Sequence, residues 1–315
     1  MSVGPTTSIL LKAAEVARRQ RITASYSAVT KACVDTGDTA DGAELVSEHP
    51  DLHRWSLPAS DAVALVHTSL DDAWALLRGA QLLEQQPVPV VRPHYSHVRT
   101  HGARAVTFWH QPGRRHGDPA VSAWVTAAVH GIHPKSALWL EPHDPFDGLL
   151  DALADADVDE AGQWFLREHA ARLREEWERI VWPTPPTVIL GDTRTAACYD
   201  DGRCPRLLLR RPLRLGRREW DLVAARWRTE LLRGHPVDLH AYTTAYTSRA
   251  RPDLVPYDQI GAWPDYQTVR DVVVLTAVME TVRRSRLYGT ARQRAAHQIA
   301  CLRGAHQLPW NWGQR

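Results

Sequence analysis

Residues 188–222 read VILGDTRTAACYDDGRCPRLLLRRPLRLGRREWDL. The apolar, β-rich run from Thr187 to Leu190 reads as a strand, and Gly191-Asp192 ends it. Asp200-Asp201-Gly202 is a tight-turn signal, and Arg206 to Leu209 is a second apolar run. The spacing therefore predicts a small hairpin within 187–212. From Glu219 to Arg233 the period becomes helical, with Trp220, Ala224, Trp227 and Leu231 inward, and Gly234 and Pro236 close the segment.

Upstream of this stretch, Asp159 to Ile180 is predicted helical. Leu166, Ala170, Leu173, Trp177 and Ile180 form one buried stripe, and Pro183, Pro185 and Pro186 stop it. Ala120 to Gly131 is an earlier helix. The polar, Pro/Gly-rich segment His110 to Asp118 before it reads as a linker and places a boundary near residue 110. Ala62 to Val66 reads as a strand. Ser69 and Asp72 then give a capping signal for a helix with Ala73, Leu76, Ala80 and Leu83 on one face, ended by Pro87 and Pro89. Val90 to Arg99 and Arg104 to Trp109 read as two strands around a turn at His101-Gly102. Thr7 to Arg19 reads as an amphipathic helix with Ile9, Ala13, Val16 and Ala17 together. Residues 22–60 are mixed, with a short strand at Ala43 to Val46. Downstream, Arg270 to Arg284 is helical with Val272, Leu275, Met279 and Val282 inward. The order predicts an α+β protein with a strand-containing part, residues 1–110, and a mostly helical part, residues 111–315, interrupted by the 187–212 hairpin.

Composition narrows the function classes. The 315 residues carry 44% hydrophobic and 23% charged side chains, which suits a folded globular chain rather than a disordered one. The formal net charge of +2 gives no global field that calls for nucleic acid. No apolar run approaches a membrane span, no membrane partner is expected, and the first twenty residues lack an apolar leader core. Cys33, Cys198, Cys204 and Cys301 form no C-x-x-C pair, so scattered thiols in a reducing cytoplasm are expected rather than a zinc site.

The 188–222 stretch resembles the catalytic core of the aminoglycoside phosphotransferases and choline kinases, a branch of the protein-kinase-like fold. Gly191-Asp192, the turn at Asp201-Gly202 and Glu219-Trp220-Asp221-Leu222 match in order and spacing. Pro185-Pro186 before the strand, and Ala62 to Gln86 as lysine strand plus following helix, extend the pattern over residues 60–285. The resemblance implies a bilobal kinase-like fold with ATP as its cofactor and a ligand in the interlobe cleft.

Catalysis in that fold rests on positioning and charge neutralisation by conserved kinds of group. Carried over residue by residue, the base position is Asp192. The histidine positions are Leu190 and Arg194, the asparagine position is Ala197 and the metal-binding aspartate position is Arg210. The lysine position is His67 and its glutamate partner position is Gly79. Glu84, or Asp200 and Asp201, offer alternative acids. The run Gly37 to Gly42 lacks the spacing of a phosphate loop. Asp192 is thus the candidate catalytic residue, with His67 and Arg210 as candidate cofactor contacts. No metal ligand set is expected, and magnesium is not expected, because it prefers oxygen ligands and an arginine repels it.

Other clusters read as structural. His94, His97 and His101 lie on strand and turn, where 94 and 97 point to opposite faces. His130 and His133 flank a helix end, and the tryptophans at 164, 177, 220 and 227 read as core, with Trp310 and Trp312 packing the tail back. Residues 13–31, with Arg18, Arg19, Arg21 and Lys31, faintly resemble a helix-turn-helix. Three functions stay open: a phosphotransferase-like protein with lost catalytic positions that binds a small molecule or protein, an active divergent small-molecule kinase, and a regulatory or DNA-associated protein with a kinase-like body.

Overall fold

A computed structural model describes residues 5–115, 118–154, 156–192, 196, 198–200, 204–234, 238–250 and 257–312. The amino-terminal part contains α1 (Pro5–Thr36), β1 (Glu44–Glu48), β2 (Leu52–Leu57), β3 (Ala62–His67), α2 (Leu70–Glu84), β4 (Arg99–His101) and β5 (Arg104–His110). The strands form one antiparallel sheet in the order β1-β2-β3-β5-β4. Strand β3 is buried at every position, which explains its unbroken apolar run. Ala62, Ala64 and Val66 pack with Ala28, Val29, Ala32 and Cys33 of α1, whereas Val63 and Leu65 pack with Leu76, Ala80 and Leu83 of α2. The strand period of two thus splits one sequence run between two helix-covered faces. Helix α2 starts where expected, with the Ser69 hydroxyl accepting from the Asp72 amide at 3.1 Å.

The chain then passes through β6 (Arg114–Arg115) into α3 (Pro119–His130), which Asp118 caps. The helical part continues with α4 (Asp151–Ala154), α5 (Glu160–Glu178), β7 (Thr187–Ile189), β8 (Cys198–Asp200), β9 (Pro205–Leu207), β10 (Arg214–Gly216), α6 (Arg218–Leu231), α7 (Leu239–Arg249), α8 (Tyr266–Ser285) and α9 (Gly289–Leu302). Its core gathers Leu166, Leu173, Trp220, Trp227, Tyr242 and the apolar face of α8. Trp312 meets Trp227 with ring centres 5.5 Å apart, and the Trp310 amide donates to Leu231 O, so the tail does pack back. The result is an α+β, bilobal, kinase-like architecture. Among the described residues no helix is long and apolar enough to cross a membrane.

Several local expectations change. The first helix runs unbroken to Thr36, so residues 13–31 contain no helix-turn-helix. Among its described side chains Ala28, Val29, Ala32 and Cys33 are buried and Val16 is exposed, while Ile9 and Ala13 lie outside the described side chains. The 90–99 run is not a strand, because Pro93 interrupts it; only Arg99–His101 pairs in the sheet, with single bridges from Val90 to Leu207 and Pro93 to Trp109. Strand β7 does not pair with the 206–209 run. It pairs with β10, and the hairpin is β8 with β9. Trp164 lies on the solvent side of α5, 64% exposed. Helices α7 and α9 form in segments for which no element is expected from the sequence.

Candidate functional site

The site begins at the end of β7, where the chain leaves the strand through Gly191 with φ of +63°, a left-handed turn that favours glycine. The two amides of this turn donate to one carboxylate: Leu190 N lies 2.7 Å from Asp221 Oδ2, and Gly191 N lies 3.0 Å from Asp221 Oδ1. His130 Nε2 donates to the same Asp221 Oδ2 at 3.0 Å, and His130 Nδ1 accepts from the Tyr246 hydroxyl at 2.8 Å. Burial pushes that hydroxyl up to about 12, so it keeps its proton and remains a donor. Beside it, Glu219 is fully buried and accepts from the Thr184 hydroxyl at 2.8 and 3.0 Å. The Glu219-Trp220-Asp221 motif therefore clamps the loop; it caps nothing, since the residue before α6 is Arg217 and forms no side-chain cap.

The clamped turn delivers Asp192, which is 6% exposed. Arg210 Nη2 lies 3.0 Å from Asp192 Oδ2. The next residue, Arg211, reaches Glu280 Oε1 of α8 at 3.8 Å. Leu190, Ala196 and Leu207 to Leu209 wall the pair into a recess of about 10 Å³, room for about one water. Helix α2 packs near this wall: a Cβ on Gly79 would stand in ordinary contact with Leu213 Cγ at 3.4 Å and Leu209 Cδ1 at 3.5 Å. Arg194, Ala197 and Asp201 lie outside the described residues.

His67 is not among the residues around this recess. By strand alternation it shares the α2 face of β3 with Val63 and Leu65. It is 4% exposed and its Nε2 pairs with Thr107 Oγ1 at 3.2 Å. Burial pushes its pKa down to about 4, so at neutral pH it brings no charge to the lysine position. Glu84 does not reach it; that carboxylate pairs with Arg92 at 3.4 Å. Glu84 and Arg92 line a separate groove of about 700 Å³ between the 84–92 segment, α3 and Cys204–Arg206.

Three contacts that no sequence pattern announced cross between the two parts. Arg54 of β2 donates to the Tyr199 hydroxyl of β8 at 3.2 Å and lies over its ring. His49, in the turn between β1 and β2, donates to Glu280 Oε1 at 3.2 Å. Glu48 lies against Tyr288, ahead of α9, whose pKa rises to about 12 through burial first and that carboxylate second. Single charged residues in unlike contexts carry no periodic or motif signal, so only the fold brings them together.

The donor set does not fit magnesium. Among the described residues around the recess the one acid is Asp192, and it is already paired with the Arg210 guanidinium. Among the described residues no group of three or more His, Cys, Asp or Glu side chains is placed to hold a metal ion, including His94, His97 and His101.

The sequence matches no known protein family and no curated protein. The fold does match solved structures. An amicoumacin kinase in complex with AMP-PNP and Ca2+ superposes with a TM-score of 0.60 at 8% identity, over 86% of this chain and 91% of that one. A microcompartment-associated aminopropanol kinase gives 0.55 at 15% identity, over 88% and 97%. A choline/ethanolamine kinase family protein from Mesorhizobium loti gives 0.54 at 15% identity, over 85% and 88%. With the clamped Gly191-Asp192 turn after β7 and a five-stranded sheet before the linker, this chain has the fold shared by the aminoglycoside phosphotransferases and the choline and ethanolamine kinases.

Proposed function

We propose that this protein uses a phosphotransferase fold to bind a small molecule or a protein segment in its interlobe cleft, with little or no magnesium-dependent phosphoryl transfer. One observation carries the reading: the Arg210 guanidinium stands 3.0 Å from Asp192, in the space where the resemblance puts a metal. A fixed cation there neutralises the base and repels a divalent ion. Metal ions contribute several kcal/mol of transition-state stabilisation to such reactions, and about 4 kcal/mol is roughly a thousandfold in rate. The neutral His67 and the packed Gly79 add to this, since a lysine–glutamate pair normally grips the nucleotide in this fold.

Free thiols at Cys33, Cys198, Cys204 and Cys301 agree with a reducing, cytoplasmic setting. The near-zero net charge and the unbroken α1 argue against nucleic acid as the partner.

The test is ATP turnover over a panel of hydroxyl and amine acceptors, paired with calorimetric titration of ATP with and without magnesium. The expected outcome is no turnover above background, and ATP binding that is weak and indifferent to magnesium. Turnover with any acceptor, or tight binding only with magnesium, would establish instead an active, divergent kinase like the solved neighbours.

A further inference from the structure

The β1–β2 hairpin reaches from the sheet to the helical part, and its tip is linked through Glu280 to Arg211, a residue that lines the Asp192 recess. Here the hairpin is fastened at two depths. Two cross-strand pairs in from the turn, Arg54 donates to the Tyr199 hydroxyl at 3.2 Å with its guanidinium 5.5 Å from the ring centre, so β2 is tied to the β8–β9 hairpin. At its tip, His49 bonds Glu280 of α8 at 3.2 Å. Glu280 is 16% exposed and also faces Arg211 at 3.8 Å, next in the chain to the Arg210 that holds Asp192. One carboxylate thus joins the tip of the small part, the helical part and the floor of the cleft. The strand residue before the tip, Glu48, is held from behind by Arg18 of α1 at 2.8 Å and Arg21 at 3.7 Å, which stiffens the arm that carries His49.

We infer that the β1–β2 hairpin is an autoinhibitory clasp, fastened through His49 on Glu280 and through Arg54 on Tyr199, and that it must lift before the cleft admits an occupant. The clasp goes beyond the proposed binding role, because it concerns access and holds whether or not phosphate is transferred. Partly exposed pairs of this kind are individually weak, which suits a fastening that opens without unfolding either part. Regions held by few buried apolar contacts open locally at low free energy, and β1, with an exposed and half-exposed burial pattern, is such a strand.

Hydrogen exchange of the full chain tests this, comparing peptides over residues 44–57 with peptides over β5 and α8. Glu280→Gln keeps the shape and weakens the fastening. Exchange over 44–57 is expected to rise by roughly fivefold, with β5 and α8 unchanged. His49→Ala removes the donor from the opposite side without touching the helical part and is expected to give the same local rise, while the double variant gives no more than the larger single effect. If Glu280→Gln raises exchange everywhere, His49→Ala decides alone. Unchanged exchange over 44–57 in His49→Ala, or fully additive effects in the double variant, overturns the clasp.

Discussion

Asp221 holds the Leu190 amide at 2.7 Å, so a residue of α6 fixes the end of the strand that delivers Asp192. The same carboxylate takes the Gly191 amide and the His130 ring, and it is buried. Hydrogen bonds to a buried charged group contribute more than neutral ones, and their loss strands the partners. Asp221→Ala is expected to cost about 2–4 kcal/mol in urea denaturation. An unchanged midpoint would show that the loop is held by something else.

Arg210 and Asp192 make a second prediction. Arg210→Asp places two carboxylates where an ion pair stood, at an expected cost of about 1–3 kcal/mol. Magnesium should recover part of that loss in the variant by binding the folded form. The parent protein should melt at the same temperature in magnesium and in chelator. A variant whose melting point ignores magnesium contradicts the geometry.

His67 sets a pH dependence. Its folded pKa is lowered from 6.5 to about 4 by burial, so the folded state keeps it neutral while the unfolded chain takes up a proton below about 6.5. The unfolded state then binds more protons, so this stabilisation is present above pH 6.5 and is lost as pH falls toward 4, by up to about 3 kcal/mol. His67→Gln should flatten the part of the stability profile between pH 6.5 and 4. An equally steep profile in the variant would assign the slope to other groups.

Thr184 gives the most local test. Its hydroxyl donates to both oxygens of Glu219, which is 0% exposed. Thr184→Val keeps the shape and removes the donor, at an expected cost of about 1–3 kcal/mol, whereas Thr184→Ser should cost much less. Chemical denaturation of the pair decides whether the hydroxyl or the methyl matters.

These predictions draw on parts of the molecule that were unequally legible in the sequence. The β3–α2 unit was read closely, because burial on both faces leaves a run without alternation and Ser69 is a local capping signal. Asp192 and Arg210 are marked in the sequence as two positions of one recognisable pattern, and the fold brings them together. Strand pairing within 187–216 was not legible, since β7 and β10 are three residues each and both candidate partners are apolar or mixed. The full length of α1 is not legible, because its second half carries Thr, Ser and Val, whose weak helix propensity tertiary packing overrides. His49–Glu280 joins positions 231 apart in the chain with no pattern between them, and only the folded topology pairs them.

The pairing of Thr187–Ile189 with Arg214–Gly216 has a further consequence. It joins the two ends of the intervening chain side by side, with Asp221 bonding the Leu190 and Gly191 amides at that seam. Lengthening a closed loop costs only about 0.6 kcal/mol per doubling. Insertions between Ile189 and Arg214 therefore add little closure cost, and the chain can grow there while the seam stays as it is.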